Sequence, residues 1–135
     1  MKLADVEVSK ILDTSQKLTE LMDKARGQPL AVNPVYLGTP ENDFLKSINA
    51  PWIRVTNIPG DEADYADDQR LIEYPKVQVD FWINKYKLQL AADIDQLIYQ
   101  LMRDSGYERY YENHYVDVDI SDLLMFTANF QYLGL

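Results

Sequence analysis

An α+β fold, a two-layer sandwich with two helices packed on one face of a mainly antiparallel, mixed sheet, is what this sequence predicts, and three features carry the prediction. Two stretches repeat apolar residues at helical spacing, several others alternate with a period of two, and every one of them has an apolar and a polar side. One-sided elements must bury their apolar sides against one another, and two layers are the simplest arrangement that does so. A length of 135 residues, with 47% hydrophobic and 26% charged, fits one globular domain spanning 1–135.

The first helix is expected from Ala4 to Ala25. Ala4, Val8, Ile11, Leu18, Met22 and Ala25 form its stripe, Ser15 fills the one gap, and Leu12 and Leu21 widen the face. Gly27 ends it and Pro29 prevents it from resuming. Val32 to Leu37 is read as a strand, and the Asn33-Pro34 break suits an edge position. Residues 38–43 are turn chemistry, and Trp52 to Ile58 is a β-branched, aromatic strand stopped by Pro59-Gly60.

Residues 60–69 carry Asp61, Glu62, Asp64, Asp67 and Asp68 with no basic residue among them, so a mobile acidic loop is expected there. A short strand piece, Leu71 to Tyr74, precedes Pro75. The clearest strand follows, with Val77, Val79, Phe81 and Ile83 directed to the core and Gln78, Asp80 and Trp82 to the other face. The second helix runs from about Leu88 to Arg103 and is closed by Gly106. Val116 to Ile120 and Leu124 to Tyr132 read as two final strands, joined by a turn near Ser121-Asp122.

Little in this chain points to catalysis, and no enzyme activity is expected. Cysteine is absent, which removes disulfides, thiolate metal sites and thiol nucleophiles. The single histidine, His114, sits among tyrosines at an expected hairpin turn, with no GxSxG nucleophile to serve, and a structural or surface role suits it. Phosphate-cradling GxxxxGK[ST] and GxGxxG patterns are missing, so no cofactor is expected. Asp117, Asp119 and Asp122 are the best oxygen-ligand group for Mg²⁺ or Ca²⁺. Their spacing is not that of an EF-hand, and solvated aspartates on an outer strand face explain them without a metal.

A net charge of −9 opposes specific nucleic-acid binding and docking on anionic membranes. The opening MKLADVEVSK has no signal-like apolar run, and no run of about 18 apolar residues occurs. A cytosolic site of synthesis and use is therefore expected. What remains is surface. Trp82, Met125, Asp80 and Thr127 lie on the sheet face away from the helices, which must be covered by a partner subunit or by a loop of the same chain. Ten tyrosines, several of them between Tyr107 and Tyr115, also suit contact surfaces, and together these features favour an oligomer.

The run Pro75-Lys76-Val77-Gln78-Val79-Asp80-Phe81-Trp82, followed by the helix through Leu90 to Met102 and the closing strands at Val116–Ile120 and Leu124–Tyr132, resembles the tail-terminator and head–tail joining proteins of long-tailed bacteriophages. The closest likeness is to small acidic phage and prophage proteins of Gram-positive hosts. The resemblance implies a structural virion protein, made in the host cytoplasm, that caps the tail tube or joins it to the head connector. Its subunits would form a homo-oligomeric ring, usually a hexamer, with the acidic residues Asp61, Glu62, Asp64, Asp67 and Asp68 lining or projecting into the channel. Two other readings compete: a monomeric acidic DNA mimic that inhibits a basic protein, and a metal-dependent enzyme built on Asp117, Asp119 and Asp122.

Overall fold

A computed structural model describes residues 3–30, 34–59, 63–66 and 69–134. In chain order the elements are α1 (Ala4–Asp13), α2 (Gln16–Arg26), β1 (Val35–Leu37), β2 (Trp52–Ile58), β3 (Ala63–Ala66), β4 (Gln69–Glu73), β5 (Lys76–Asn84), α3 (Leu88–Asp104), β6 (Tyr107–Val116) and β7 (Leu123–Tyr132). A five-stranded sheet has the order β1-β2-β5-β7-β6, and β3 and β4 form a separate two-stranded sheet. Strand β1 runs parallel to β2, and the other pairs of the main sheet are antiparallel. The sheet is mixed, and the α+β class expected from the sequence is the observed one.

All three helices bury their apolar stripes on one sheet face. Val8 and Leu12 of α1, Leu18 and Met22 of α2, and Ile94, Ile98 and Met102 of α3 share one core with Ile53, Val55, Val77, Val79, Phe81, Ile83 and Phe130. Burial of each such side chain contributes about 1.5–3 kcal/mol relative to exposure. This core anchors β2, β5 and β7 and so fixes which of their residues face away from the helices.

The expected first helix is two helices. Thr14 Oγ1 donates to the Lys10 carbonyl at 2.7 Å, and Ser15 Oγ accepts from the Leu18 amide at 3.2 Å as the N-cap of α2. Ser15, which looks like a gap in the apolar stripe, is the point where the helix stops and restarts. The restart changes the phase: Leu12 is buried and Ile11 only partly so. At the far end Gly27, with φ 87°, donates its amide to the Asp23 carbonyl at 2.8 Å.

Two other expectations change. Ala63–Ala66 pairs antiparallel with Gln69–Glu73, so this part of the acidic stretch is a hairpin and not a loop. Like-charge repulsion opposes compaction, but a two-stranded ribbon is extended. Asp64 lies in β3, whereas Asp61, Glu62, Asp67 and Asp68 lie outside the described residues. The penultimate strand of the sheet is Tyr107–Val116 rather than Val116–Ile120, and residues 117–122 are the connection to β7. His114 therefore sits within a strand, its ring stacked on Phe126 at 5.0 Å, and not at a turn.

Tyr107, at the start of β6, is buried and meets Tyr132 edge-on at 5.2 Å. Burial, with Glu7 and Tyr132 adding to it, raises its phenol above the usual value. The folded state thus holds this proton more tightly than the unfolded chain, whose tyrosines titrate near about pH 10. The resulting stability is complete below that value and falls as pH rises above it. Urea midpoints between roughly pH 9 and pH 11 should fall for the wild type and fall less for Tyr107→Phe. Separately, Ser15→Ala should cost about 1 kcal/mol in urea denaturation through loss of the cap.

Candidate functional site

The sheet face away from the helices is built by alternation on three strands. Register places Trp52 beside Trp82 beside Met125, and Arg54 beside Asp80 beside Thr127. The two indoles stack at 5.3 Å with an interplanar angle of 17°. The Arg54 guanidinium lies 4.9 Å over the Trp82 ring. Its Nε and Nη2 both donate to Asp80 Oδ2, at 3.1 and 2.7 Å, and Gln78 Nε2 donates to both Asp80 oxygens at 3.0 and 3.1 Å. Asp80 is 0% exposed, so these donors take the place of water around its carboxylate.

The residues singled out from sequence as an interaction surface do share this face, but the chain itself covers most of it. Trp82 is 6% exposed and Met125 9% exposed. With Ala50, Trp52 and Leu123 they form a second core, closed by Tyr36, Phe44, Leu45 and Ile120. Phe44 stands edge-on to Trp52 at 5.4 Å, and Tyr36 packs on Phe44 at 4.9 Å. Thr127 is half-buried. Trp82, Met125 and Asp80 are thus interior groups, and a partner cannot reach them without displacing residues 36–51.

Arg26 fastens that covering segment to the helical layer. From the last turn of α2 it donates through Nε to the Asn49 carbonyl at 3.0 Å, through Nη2 to the Pro51 carbonyl, and through Nη1 to Asp23 Oδ1 at 2.9 Å. Burial pushes this guanidinium below its usual value, and Asp23 works against that shift. Asn49 Nδ2 adds a bond to the Phe44 carbonyl at 2.8 Å. Sequence reading missed Arg26 and Arg54. The facing β2 and β5 registers could have paired Arg54 with Asp80, but nothing local marks Arg26.

Cover is incomplete at one place. Between the turn at 39–45, the two tryptophans and the 117–120 turn lies a cavity of about 430 Å³, with Asn42, Trp52, Arg54, Trp82, Asp117 and Asp119 among its walls. Asp117 is a structural group here: it accepts from Trp82 Nε1 at 3.3 Å and from the Ile120 amide at 2.9 Å. Trp52 Nε1 is buried and has no acceptor among the described residues. Among the described residues no group of three potential metal ligands comes together, so Asp117, Asp119 and Asp122 do not gather into a cation site.

The second open feature is the sheet edge at β6. Arg109 ties the start of this strand to α3 through Asp95 at 3.2 Å and through its guanidinium over Tyr99 at 4.9 Å. A register shift follows between Arg109 and Tyr111. Beyond it every residue from Tyr110 to Val116 is exposed, although the strand still pairs with β7. Tyr110 is 50% exposed, and in the following connection Val118 is 89% exposed. From Tyr111 to Val116 the strand has neither Pro nor Lys, and Glu112 is its one carboxylate. Among the described residues no strand pairs with the outer edge of β6. Edges this long are normally blunted by such residues or covered. Tyr115 turns one hydroxyl inward, donating to Met125 Sδ at 3.2 Å.

No protein-family model matches this chain, and comparison with curated proteins gives no match either.

Removing one member of the Arg54–Asp80 pair leaves the other without its counter-charge. Arg54→Met should cost about 2–4 kcal/mol in urea denaturation, toward the lower end because the arginine is partly exposed. Arg54→Met combined with Asp80→Leu should cost less than Arg54→Met alone, a non-additivity that a double-mutant cycle measures directly.

Proposed function

We propose that this chain is a structural subunit of a bacteriophage virion, self-associating into a ring that caps the tail tube or joins it to the head. The observation that carries the reading is the open, aromatic edge of β6. A strand edge with unpaired amides and carbonyls takes another extended backbone, and tyrosines on both faces add contact area at low entropic cost. A ring needs a heterologous contact, in which one patch meets a different patch on the next copy. The β6 edge of one subunit against another surface of its neighbour meets that condition.

Charge supports the same reading. A subunit of a DNA-conducting ring must not adhere to the DNA, and a chain of net charge −9 lacks the cationic excess that phosphate binding requires. Among the described residues no helix is long and apolar enough to cross a membrane. The proposed location is the virion, with assembly in the host cytoplasm and with the tail tube and head connector as partners. No reaction is assigned to the chain.

Light-scattering mass across a concentration series tests this. The wild type should form a discrete ring-sized oligomer, alone or on addition of tail-tube protein. The double variant Tyr111→Lys, Asn113→Lys places lysines on the exposed edge and should remain monomeric, with an unchanged circular dichroism spectrum. A wild type that stays monomeric under both conditions, or a double variant that assembles normally, would sink the edge-strand ring.

A further inference from the structure

We infer that, before any larger assembly forms, two copies of this chain pair through their β6 edges, antiparallel and about a two-fold axis at Asn113. The inference uses the edge on which the ring reading rests, but it requires only a second copy, so each can fail without the other. A two-fold contact closes on itself and occupies the edge, and the pair must open before β6 can join a ring.

What the edge offers follows from its pairing with β7. The Asp117 amide donates to the Leu123 carbonyl at 2.9 Å. Antiparallel backbones alternate, so Tyr115, Asn113 and Tyr111 also turn their amides and carbonyls toward β7, while Glu112, His114 and Val116 turn theirs outward. The chain answers one of these outward donors itself: the His114 amide donates to Asn113 Oδ1 at 2.9 Å. A carbonyl of an incoming strand takes over that donor and releases the Asn113 carboxamide.

Side chains alternate in the same way. The His114 ring stacks on Phe126, which stacks in turn on Phe81 at 4.6 Å, so a row of rings crosses β5, β7 and β6 on the helix side and ends at the edge. Glu112 shares that face and is held by Arg109 at 2.9 Å. Tyr111, Asn113 and Tyr115 lie on the other face, where Tyr115 meets Met125.

These constraints select the register. Two antiparallel copies can match only outward residues with outward residues. An axis at Glu112 sets carboxylate against carboxylate, and axes at His114 or Tyr115 set Glu112 against Val116 or Val118. An axis at Asn113 is complementary throughout the run. Glu112 of each copy meets His114 of the other, Tyr111 of each meets Tyr115 of the other, and Asn113 meets Asn113. Tyr111-Glu112-Asn113-His114-Tyr115 is therefore its own complement, with an acid opposite a base and an aromatic opposite an aromatic. A foreign strand requires no such symmetry, which is why the occupant is a second copy. The net charge of −9 on each copy opposes association, but charges more than about 10 Å apart are screened at 0.1 M salt, and Glu112 is the one carboxylate within 111–116.

The chain has no cysteine, so single cysteines report on this register without background. Across the axis the two Asn113 Cβ atoms are expected about 4.5 Å apart, close to the span of a disulfide. Asn113→Cys, Tyr111→Cys and Tyr115→Cys are each treated with oxidised glutathione, and the last two also as a mixture. Asn113→Cys should form a covalent dimer roughly tenfold or more faster than Tyr111→Cys or Tyr115→Cys alone, because pairing raises the effective thiol concentration. The mixture should crosslink faster than either of its components. All three positions are exposed, so the variants should fold as the wild type does, checked by circular dichroism. Equal rates for the three variants, or no gain in the mixture, would overturn the proposal. A ring-sized particle on addition of tail-tube protein, together with equal rates in the free chain, would leave the ring and remove the pair. Fast crosslinking at Asn113→Cys, with no particle beyond a dimer under either condition, would leave the pair and remove the ring.

Discussion

Strand β5 is buried on both faces, and the rest of the structure answers to that constraint. Val77, Val79, Phe81 and Ile83 lie under the helices, while Asp80 and Trp82 are equally enclosed on the other side. A central strand of this kind cannot belong to a simple two-layer sandwich with one wet face. The second face must be covered, and the chain uses residues 36–51 and the 117–122 connection to do it. A charged residue on that face then needs internal partners, which is why Arg54 and Gln78 converge on Asp80.

The two kinds of cover differ in what they leave open. Helices present continuous apolar stripes and close their face around a single core. Irregular segments must instead be fastened point by point, by Arg26, Asn49 and the Phe44–Trp52 contact. Where two such segments meet, a cavity remains. Neither cover reaches the outer half of β6, which runs past α3 after its register shift. Among the described residues the open parts of the sheet are therefore its margins, not its middle.

Much of this was legible in the sequence, and the failures have identifiable causes. Trp52–Ile58, the period-two run at β5 and the helix closed by Gly106 were recovered almost to the residue, since each carries its own periodicity and its own stop signal. The break at Ser15 was missed because a serine in an apolar stripe is consistent with both a tolerated substitution and a cap. Strand β6 was displaced because its exposed half alternates poorly, while Val118 and Ile120 continue the alternation of Val116 without pairing. Trp82 and Met125 were placed on the correct face, but periodicity gives no information about whether a partner or a distant loop covers that face.

By itself the sequence determined the fold class, the residues of the helix-side core and the absence of cysteine chemistry, because periodicity and composition are local properties. The tertiary structure alone decided that the aromatic face is interior, that Arg54 neutralises Asp80, and that the open surfaces are the β6 edge and the cavity. Those outcomes depend on contacts between segments far apart in the chain: Arg26 with Pro51, Trp82 with Asp117, Phe44 with Trp52. No local pattern encodes such pairings, since each is set by the register of strands and by where a loop returns once the helices have claimed the opposite face.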